Sequence, residues 1–237
     1  MEGEISFVEN LRKPNTHATL AKGNHGVALS YSLGGGYKMS KTWEPLGPVG
    51  MYNTFGPELS FASNLQKKVE GNIAIAKFTH SGSQIIDWTP QGSQVKSRNL
   101  YPAFIAFIQA QVKSLEDKGH TVIIEGIFYH VGENDMSYSN YKTNAAKWVK
   151  LLVDQSRKDL KQEDLEWFIS QQPPTKFKGA NETNVMGQLK EWAQTDKNTV
   201  HVEALGLVKE DEHILMDTEA VVKLGLLLSN TYLEQVN

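Results

Sequence analysis

Cysteine is absent from the 237-residue sequence. The chain therefore has no disulfide framework, no thiolate metal site and no cysteine nucleophile, which excludes several classes of enzyme. An excess of basic residues is absent too, since 24 lysines and arginines stand against 27 aspartates and glutamates, for a formal net charge of -3. Because nothing predicts a broad basic surface, neither nucleic acid nor an anionic membrane is expected as a partner.

The sequence also lacks long apolar runs. Its longest hydrophobic stretches are too short to span a bilayer, and its first residues lack the charged-then-apolar pattern of a signal peptide. No low-complexity linker divides the chain, and 40% of the residues are hydrophobic, which is enough for one substantial core. We therefore predict a single domain over residues 1–237.

Short β-rich runs alternate with longer amphipathic stretches, the pattern of an α/β sheet whose strands are joined by crossover helices. Residues 1–55 are the least regular part and are expected to be mostly irregular. Strands are expected at residues 27–31, 73–78, 122–128, 167–170 and 200–202, and helices at 57–70, 104–115, 141–160, 185–192 and 220–231.

The most informative segment is residues 121–135, TVIIEGIFYHVGEND, where an apolar run ends in a glycine among carboxylates, an amide and a histidine. The apolar part reads as a strand buried on both faces of a sheet. Open α/β sheets bind ligands beyond the carboxyl ends of their strands, so the polar residues predict a ligand crevice. An ordinary polar turn is the alternative interpretation.

A second polar segment contains Glu210, Asp211 and His213 and precedes a periodic apolar stretch near the C-terminus. A carboxylate one to three residues before a histidine, on a loop that enters a helix, can orient the imidazole as a general base. The alternative is an acidic turn that only compensates the helix dipole.

Four segments occur in one order along the chain: residues 56–62 (GPELSFA), residues 81–88 (SGSQIIDW), residues 129–135 (YHVGEND) and residues 205–225, which run from Leu205-Gly206-Leu207 to Leu224-Gly225. In these segments the chain resembles the SGNH-type carbohydrate esterases, in the branch of sialate O-acetylesterases and acetylxylan esterases. The resemblance implies a three-layer α/β/α sandwich with a mostly parallel, flavodoxin-like sheet. It also implies an acetylated carbohydrate as substrate, no cofactor, and an extracellular or periplasmic location.

The resemblance further implies that a serine attacks an acetyl ester, with His213 as base. Its orienting carboxylate is Glu210 by the family's usual spacing, or Asp211 if the loop is one residue shorter, which is the assignment we favour. The oxyanion and substrate-binding residues implied are Gly82, Ser83, Val131, Gly132, Glu133 and Asn134. No metal is expected, because the nearby histidines and carboxylates match no recognised ligand spacing.

The chain departs from the family pattern at two places. The family carries its serine in a Gly-Gln-Ser-Asn-Met run after the first strand, whereas here Met1-Glu2-Gly3 resembles only the tail of that run, by descent or by coincidence. We therefore expect the first strand and the serine to lie upstream of residue 1. Val131 stands where the family has a glutamine, and loss of one such oxyanion donor costs roughly 2.7 to 4 kcal/mol.

Two functions follow from these departures. One is a carbohydrate acetylesterase that is inactive or impaired as this polypeptide. The other is a catalytically dead homologue that binds a glycan or a protein through the same crevice. The sequence does not specify which sugar ester is recognised or the oligomeric state.

Overall fold

A computed structural model describes residues 8–12, 17–95, 98–131, 135, 143–171, 182–204, 207 and 216–236. The chain divides into two compact units, the first made of Met1–Thr79 with Gly206–Asn237 and the second of His80–Leu205. Both units contain helices and strands, which confirms the predicted α/β class.

The helices and strands of the described residues are, in chain order, α1 Val8–Leu11, α2 Ala18–Ala21, β1 Asn24–Leu33, β2 Lys38–Met39, β3 Glu44–Leu46, α3 Glu58–Leu65, β4 Ile73–Thr79, α4 Tyr101–Glu116, β5 Ile127–Val131, α5 Ala145–Asp159, β6 Trp167–Gln171, α6 Glu182–Ala193, β7 Thr199–Val202 and α7 Thr218–Val236. Short 3₁₀ turns cover Met51–Asn53 and Ile85–Trp88.

The sheet of the first unit is built on β1. This strand pairs antiparallel with β2 and β3, and parallel with β4 in a register that joins Val27 to Ile73 and Leu33 to Thr79. The sheet is therefore mixed, so a mostly parallel sheet is not confirmed. Strand β1 is ten residues long, about twice the length expected, and its last five residues are all buried. Val27, Leu29, Tyr31 and Leu33 alternate with smaller residues, whereas the first three residues of β1, Asn24, His25 and Gly26, show no strand pattern.

Helices α3 and α7 pack against each other in the first unit. Ser60 Oγ donates a hydrogen bond to the carbonyl of Val222 at 2.8 Å, and Asn64 Nδ2 donates to Ser229 Oγ at 2.9 Å. Gly225 lies at the contact, where it allows the α7 backbone to approach that of α3. Helix α3 is shorter than predicted, because it ends at Leu65 and continues as a turn through residues 66–68.

The second unit contains a parallel sheet in the order β5-β6-β7, with α5 and α6 as the crossover connections. Strand β6 lies in the centre and all five of its residues are buried. Phe168 stacks on Phe128 of β5, with ring centroids 4.6 Å apart. This strand and its neighbour β7 match their predicted positions to within one residue.

Strand β5 begins later than the sequence predicts. Residues 121–126 have no strand structure, and Ile123 is 72% exposed. The first backbone hydrogen bond to the neighbouring strand segment is from Ile127 N–H to the carbonyl of Glu166, at 2.9 Å. The extent of a strand is set by its hydrogen-bonding partner rather than by side-chain preference, and β6 begins only at Trp167.

Candidate functional site

Residues 80–89 follow β4 in the chain and contain two of the predicted site residues, Gly82 and Ser83. Gly82 is exposed and has φ of +67°, a left-handed conformation that favours glycine. The Arg98 guanidinium donates a hydrogen bond to the Gly82 carbonyl, and the ring N–H of Trp88 donates to Ser83 Oγ at 3.0 Å. The C=O of Gly82 and the N–H of Ser83 share one trans peptide plane and point in opposite directions. Arg98 therefore also fixes the direction of the Ser83 N–H.

Two buried carboxylates hold the next two backbone N–H groups of this loop. Asp87 accepts a hydrogen bond from Gln84 N–H at 2.9 Å, and Asp135 accepts from Ile85 N–H at 3.0 and 3.2 Å through its two oxygens. Asp87 is 0% exposed and Asp135 is 1% exposed. Hydrogen bonds to a carboxylate are among the stronger ones in proteins, so both contacts restrain the loop.

Two adjacent N–H groups of this loop, those of Gly82 and Ser83, are open donors within the described part of the chain. Neither has a hydrogen-bond partner within the described part of the chain, in contrast to the N–H groups of Gln84 and Ile85. Successive N–H groups at a left-handed residue form a small concave site suited to an anion. The arrangement is therefore suited to an anion or to an oxygen atom that carries partial negative charge.

Tyr129 of β5 lies beside the two carboxylates. Burial raises the pKa of its hydroxyl well above the usual value, and the charges of Asp135 and Asp87 raise the pKa further. Its ring packs edge to face against Trp88 and Trp167, at centroid distances of 5.8 and 6.0 Å. Tyr129 therefore stays protonated at neutral pH and supports the loop by packing.

Polar side chains also occur within the last two positions of the parallel strands. His130 Nδ1 lies 2.6 Å from Ser170 Oγ, and His201 Nε2 is hydrogen-bonded to Gln171 Oε1. Within the described residues, no group of three or more histidine, aspartate or glutamate side chains is placed to hold a metal ion. None of the described helices is both long enough and apolar enough to cross a membrane.

His201 gives an expected pH dependence of stability. Burial lowers the pKa of its imidazole to about 4, with the positive charge of Lys190 as a smaller cause. The unfolded chain binds a proton at this imidazole more readily than the folded chain does, so the stability contributed by neutral His201 is lost as the pH falls from about 6.5 to about 4.

We expect His201→Gln, which removes the titrating ring, to lose less stability than the wild type between pH 7 and pH 5. After discounting for partial exposure the difference is about 1 kcal/mol, measurable by urea unfolding. Equal losses of stability in the wild type and in His201→Gln would contradict the claim that the folded protein keeps the His201 imidazole neutral.

The predicted site residues are only partly within the described chain. Gly82 and Ser83 lie in the loop after β4, and Val131 is the last residue of β5, where its backbone pairs with Gln171. The other predicted site residues lie outside the described residues: Gly132, Glu133, Asn134, Glu210, Asp211 and His213.

Three residues whose side chains hydrogen-bond to the backbone of this loop were given no role on sequence grounds: Asp87, Arg98 and Asp135. Asp87 and Asp135 belong to the segments that carry the family resemblance, which was the available signal for them. Arg98 has no local signal, because it reaches Gly82 from 16 residues further along the chain.

Comparisons with known proteins show what this chain is similar to. The sequence model of a family described as "Carbohydrate esterase, sialic acid-specific acetylesterase" matches residues 20–234. Among solved structures, the chain is similar to a protein from Arabidopsis thaliana, with 19% identity and a TM-score of 0.66 over 91% of this chain and 84% of the other.

It is also similar to a carbohydrate acetylesterase from Xanthomonas citri, with 14% identity and a TM-score of 0.68 over 92% of this chain. The match covers 51% of the Xanthomonas chain, so this chain spans about half the length of that protein. At these identities the two structures show a shared fold. No curated protein matches the sequence.

Proposed function

The chain belongs to the carbohydrate esterase family described as sialic acid-specific acetylesterase, and from this membership we propose that its site is built for O-acetyl esters of sugars. The resemblance inferred from four sequence segments is thereby confirmed at the level of the family. The matched region, residues 20–234, contains the loop of Gly82 and Ser83, the end of β5 and the segment of His213.

The observation that carries the proposal is the pair of open N–H groups at Gly82 and Ser83. In serine-type acyl transfer, the attacked carbonyl oxygen becomes negative and must be held by preorganised donors. Gly82 has no side chain to block the approach, and Arg98 holds the adjoining peptide in place. These features suit an oxyanion hole.

In the proposed chemistry His213 is the general base that takes the proton of a serine hydroxyl, with Asp211 or Glu210 orienting its imidazole. Gly82, Ser83 and the backbone following Val131 face the acyl group. Gly132, Glu133 and Asn134 complete the binding site for the ester and the sugar. The step releases the sugar hydroxyl and leaves an acetyl group on the serine, which water then removes as acetate.

Two features of the sequence support low activity of this polypeptide. Its 237 residues contain no Gly-Gln-Ser-Asn-Met run, and Val131 supplies no side-chain donor where the family has a glutamine. These features favour a second candidate function, binding of a glycan or a protein without turnover. The binding function keeps the same crevice and loses only the chemical step.

Hydrolysis by the 237-residue polypeptide is expected to stay at background with p-nitrophenyl acetate and with an O-acetylated sialic acid. Binding of the O-acetylated sialic acid, followed by NMR titration against the non-acetylated sugar as control, is expected to persist. Turnover that His213→Ala abolishes would contradict the missing-nucleophile proposal and direct attention to Ser81 or Ser83. Absence of both turnover and binding would contradict the proposed sugar ester.

A further inference from the structure

Asp135 contacts the loop of the candidate site from a distant part of the second unit's sequence. Its carboxylate accepts a hydrogen bond from the Ile85 N–H across 50 residues of sequence, with N···O distances of 3.0 and 3.2 Å. Both residues are 1% exposed. Ile85 lies two residues after Ser83, so this contact holds the loop of Gly82 and Ser83 from a distant part of the chain.

A buried carboxylate is costly unless hydrogen bonds compensate its lost hydration. Packing alone would be served as well by an apolar residue of similar size at this position. A carboxylate that accepts through both oxygens instead fixes the position and direction of one backbone amide. Ile85 is the first residue of the 3₁₀ turn Ile85–Trp88, so the whole turn is oriented with it.

The contacts around Ile85 leave little freedom to the loop. Asp87 holds the Gln84 N–H at the start of the same turn, and Trp88 within the turn holds Ser83 Oγ. Movement of Ile85 therefore displaces the two residues whose N–H groups are open. Tyr129, which packs on Trp88, lies beside both carboxylates and stays uncharged, so it adds no repulsion to the cluster.

We propose that Asp135 is a positioning residue, which acts through the Ile85 N–H to fix the direction of the open N–H groups of Gly82 and Ser83. This inference rests on the proposed function, because the direction of these N–H groups affects binding only if they hold the acyl oxygen. Asp135 itself touches no reacting atom in this assignment.

The test compares Asp135→Ala with Asp135→Asn, which keeps one carbonyl oxygen for the Ile85 N–H. The control is Asp196→Ala, which removes the 2.6 Å ion pair with Arg157 at the amino ends of β6 and β7. We expect Asp196→Ala to destabilise the second unit as well, although Asp196 takes no part in the contacts of residues 82–88. Amide hydrogen exchange and the NMR amide signals of Gly82, Ser83 and Ile85 are recorded for all three variants, together with titration of an O-acetylated sialic acid.

For Asp135→Ala we expect exchange of the Ile85 amide at least 10-fold faster, shifted Gly82 and Ser83 amide signals, and at least 10-fold weaker binding of the O-acetylated sialic acid. Asp135→Asn should recover most of each effect, and Asp196→Ala should show none of them. Unshifted Gly82 and Ser83 signals in Asp135→Ala would overturn the positioning role, as would equal effects in Asp196→Ala. If those signals shift but the wild type binds no O-acetylated sugar, the loop contact stands and the proposed function fails.

Discussion

Val131→Gln is expected to raise the esterase rate about 100-fold in a polypeptide that carries the family's Gly-Gln-Ser-Asn-Met run ahead of residue 1. One oxyanion donor is worth about 2.7 kcal/mol or more of transition-state stabilisation, which is a factor of about 100 in rate. Val131 ends β5 directly before Gly132, so a glutamine amide there would lie on the segment proposed to face the acyl oxygen. The measurement is kcat for p-nitrophenyl acetate in the parent polypeptide and in its Val131→Gln variant, compared at equal concentration of folded protein.

The matched control for this change is Val131→Met. Methionine has a similar length to glutamine but no N–H donor, so it tests the effect of side-chain size alone. We expect the methionine variant to keep the low rate of the parent chain. Equal rates in all three proteins would show that another group, such as His130 or Asn134, already holds the oxyanion. A rate increase with methionine would assign the effect to packing.

Gly225→Ala is expected to destabilise the first unit by about 3 kcal/mol, although alanine is normally the better helix residue by about 1 kcal/mol. A Cβ at this position would overlap Ser60 Oγ and the carbonyl oxygen of Pro57, and would lie 2.9 Å from the backbone N of Phe61. Two of these atoms are backbone atoms of Pro57, which precedes α3, and of Phe61 within it, so α3 and α7 must move apart and open their shared core. Urea unfolding at neutral pH measures the loss.

Gly187→Ala is the matched control within a helix. Gly187 lies in α6, and a Cβ added there would meet nothing within 4 Å. We expect this variant to gain about 0.5 to 1 kcal/mol from helix propensity alone. Adding Ser60→Ala to Gly225→Ala should not restore stability, because the overlaps with backbone atoms remain. If Gly225→Ala were as stable as the wild type, α3 and α7 would be able to move apart at little cost in free energy.

The periodic helices and the short apolar strands were predictable from sequence because each carries its signal within a few residues. Helix α4 matches its expected range closely, and its C-terminal turn ends at Gly119 with φ of +86°. The start of β5 was not predictable, because Ile123 has strand-forming character but no pairing partner. The N-terminal end of β1 was missed for the opposite reason, since Asn24, His25 and Gly26 belong to the strand although asparagine and glycine are uncommon in strands.

For the candidate site, the sequence identified Gly82 and Ser83 only through the family resemblance. Their local pattern alone fits an ordinary strand-ending turn as well. The structure added what makes them a candidate oxyanion hole, namely the left-handed conformation of Gly82 and two N–H groups without partners in the described residues. It also added Arg98, which orients the peptide between them.

By itself the sequence determined the α/β class, the family and the absence of any cysteine chemistry, because these depend on composition, periodicity and ordered motifs along the chain. Only the tertiary structure decided that the sheet of the first unit is mixed and that Asp87, Arg98 and Asp135 restrain one loop. Those contacts join residues as far as 50 positions apart. Backbone hydrogen-bond partners at such separations are chosen by the folded chain, and no local pattern specifies them.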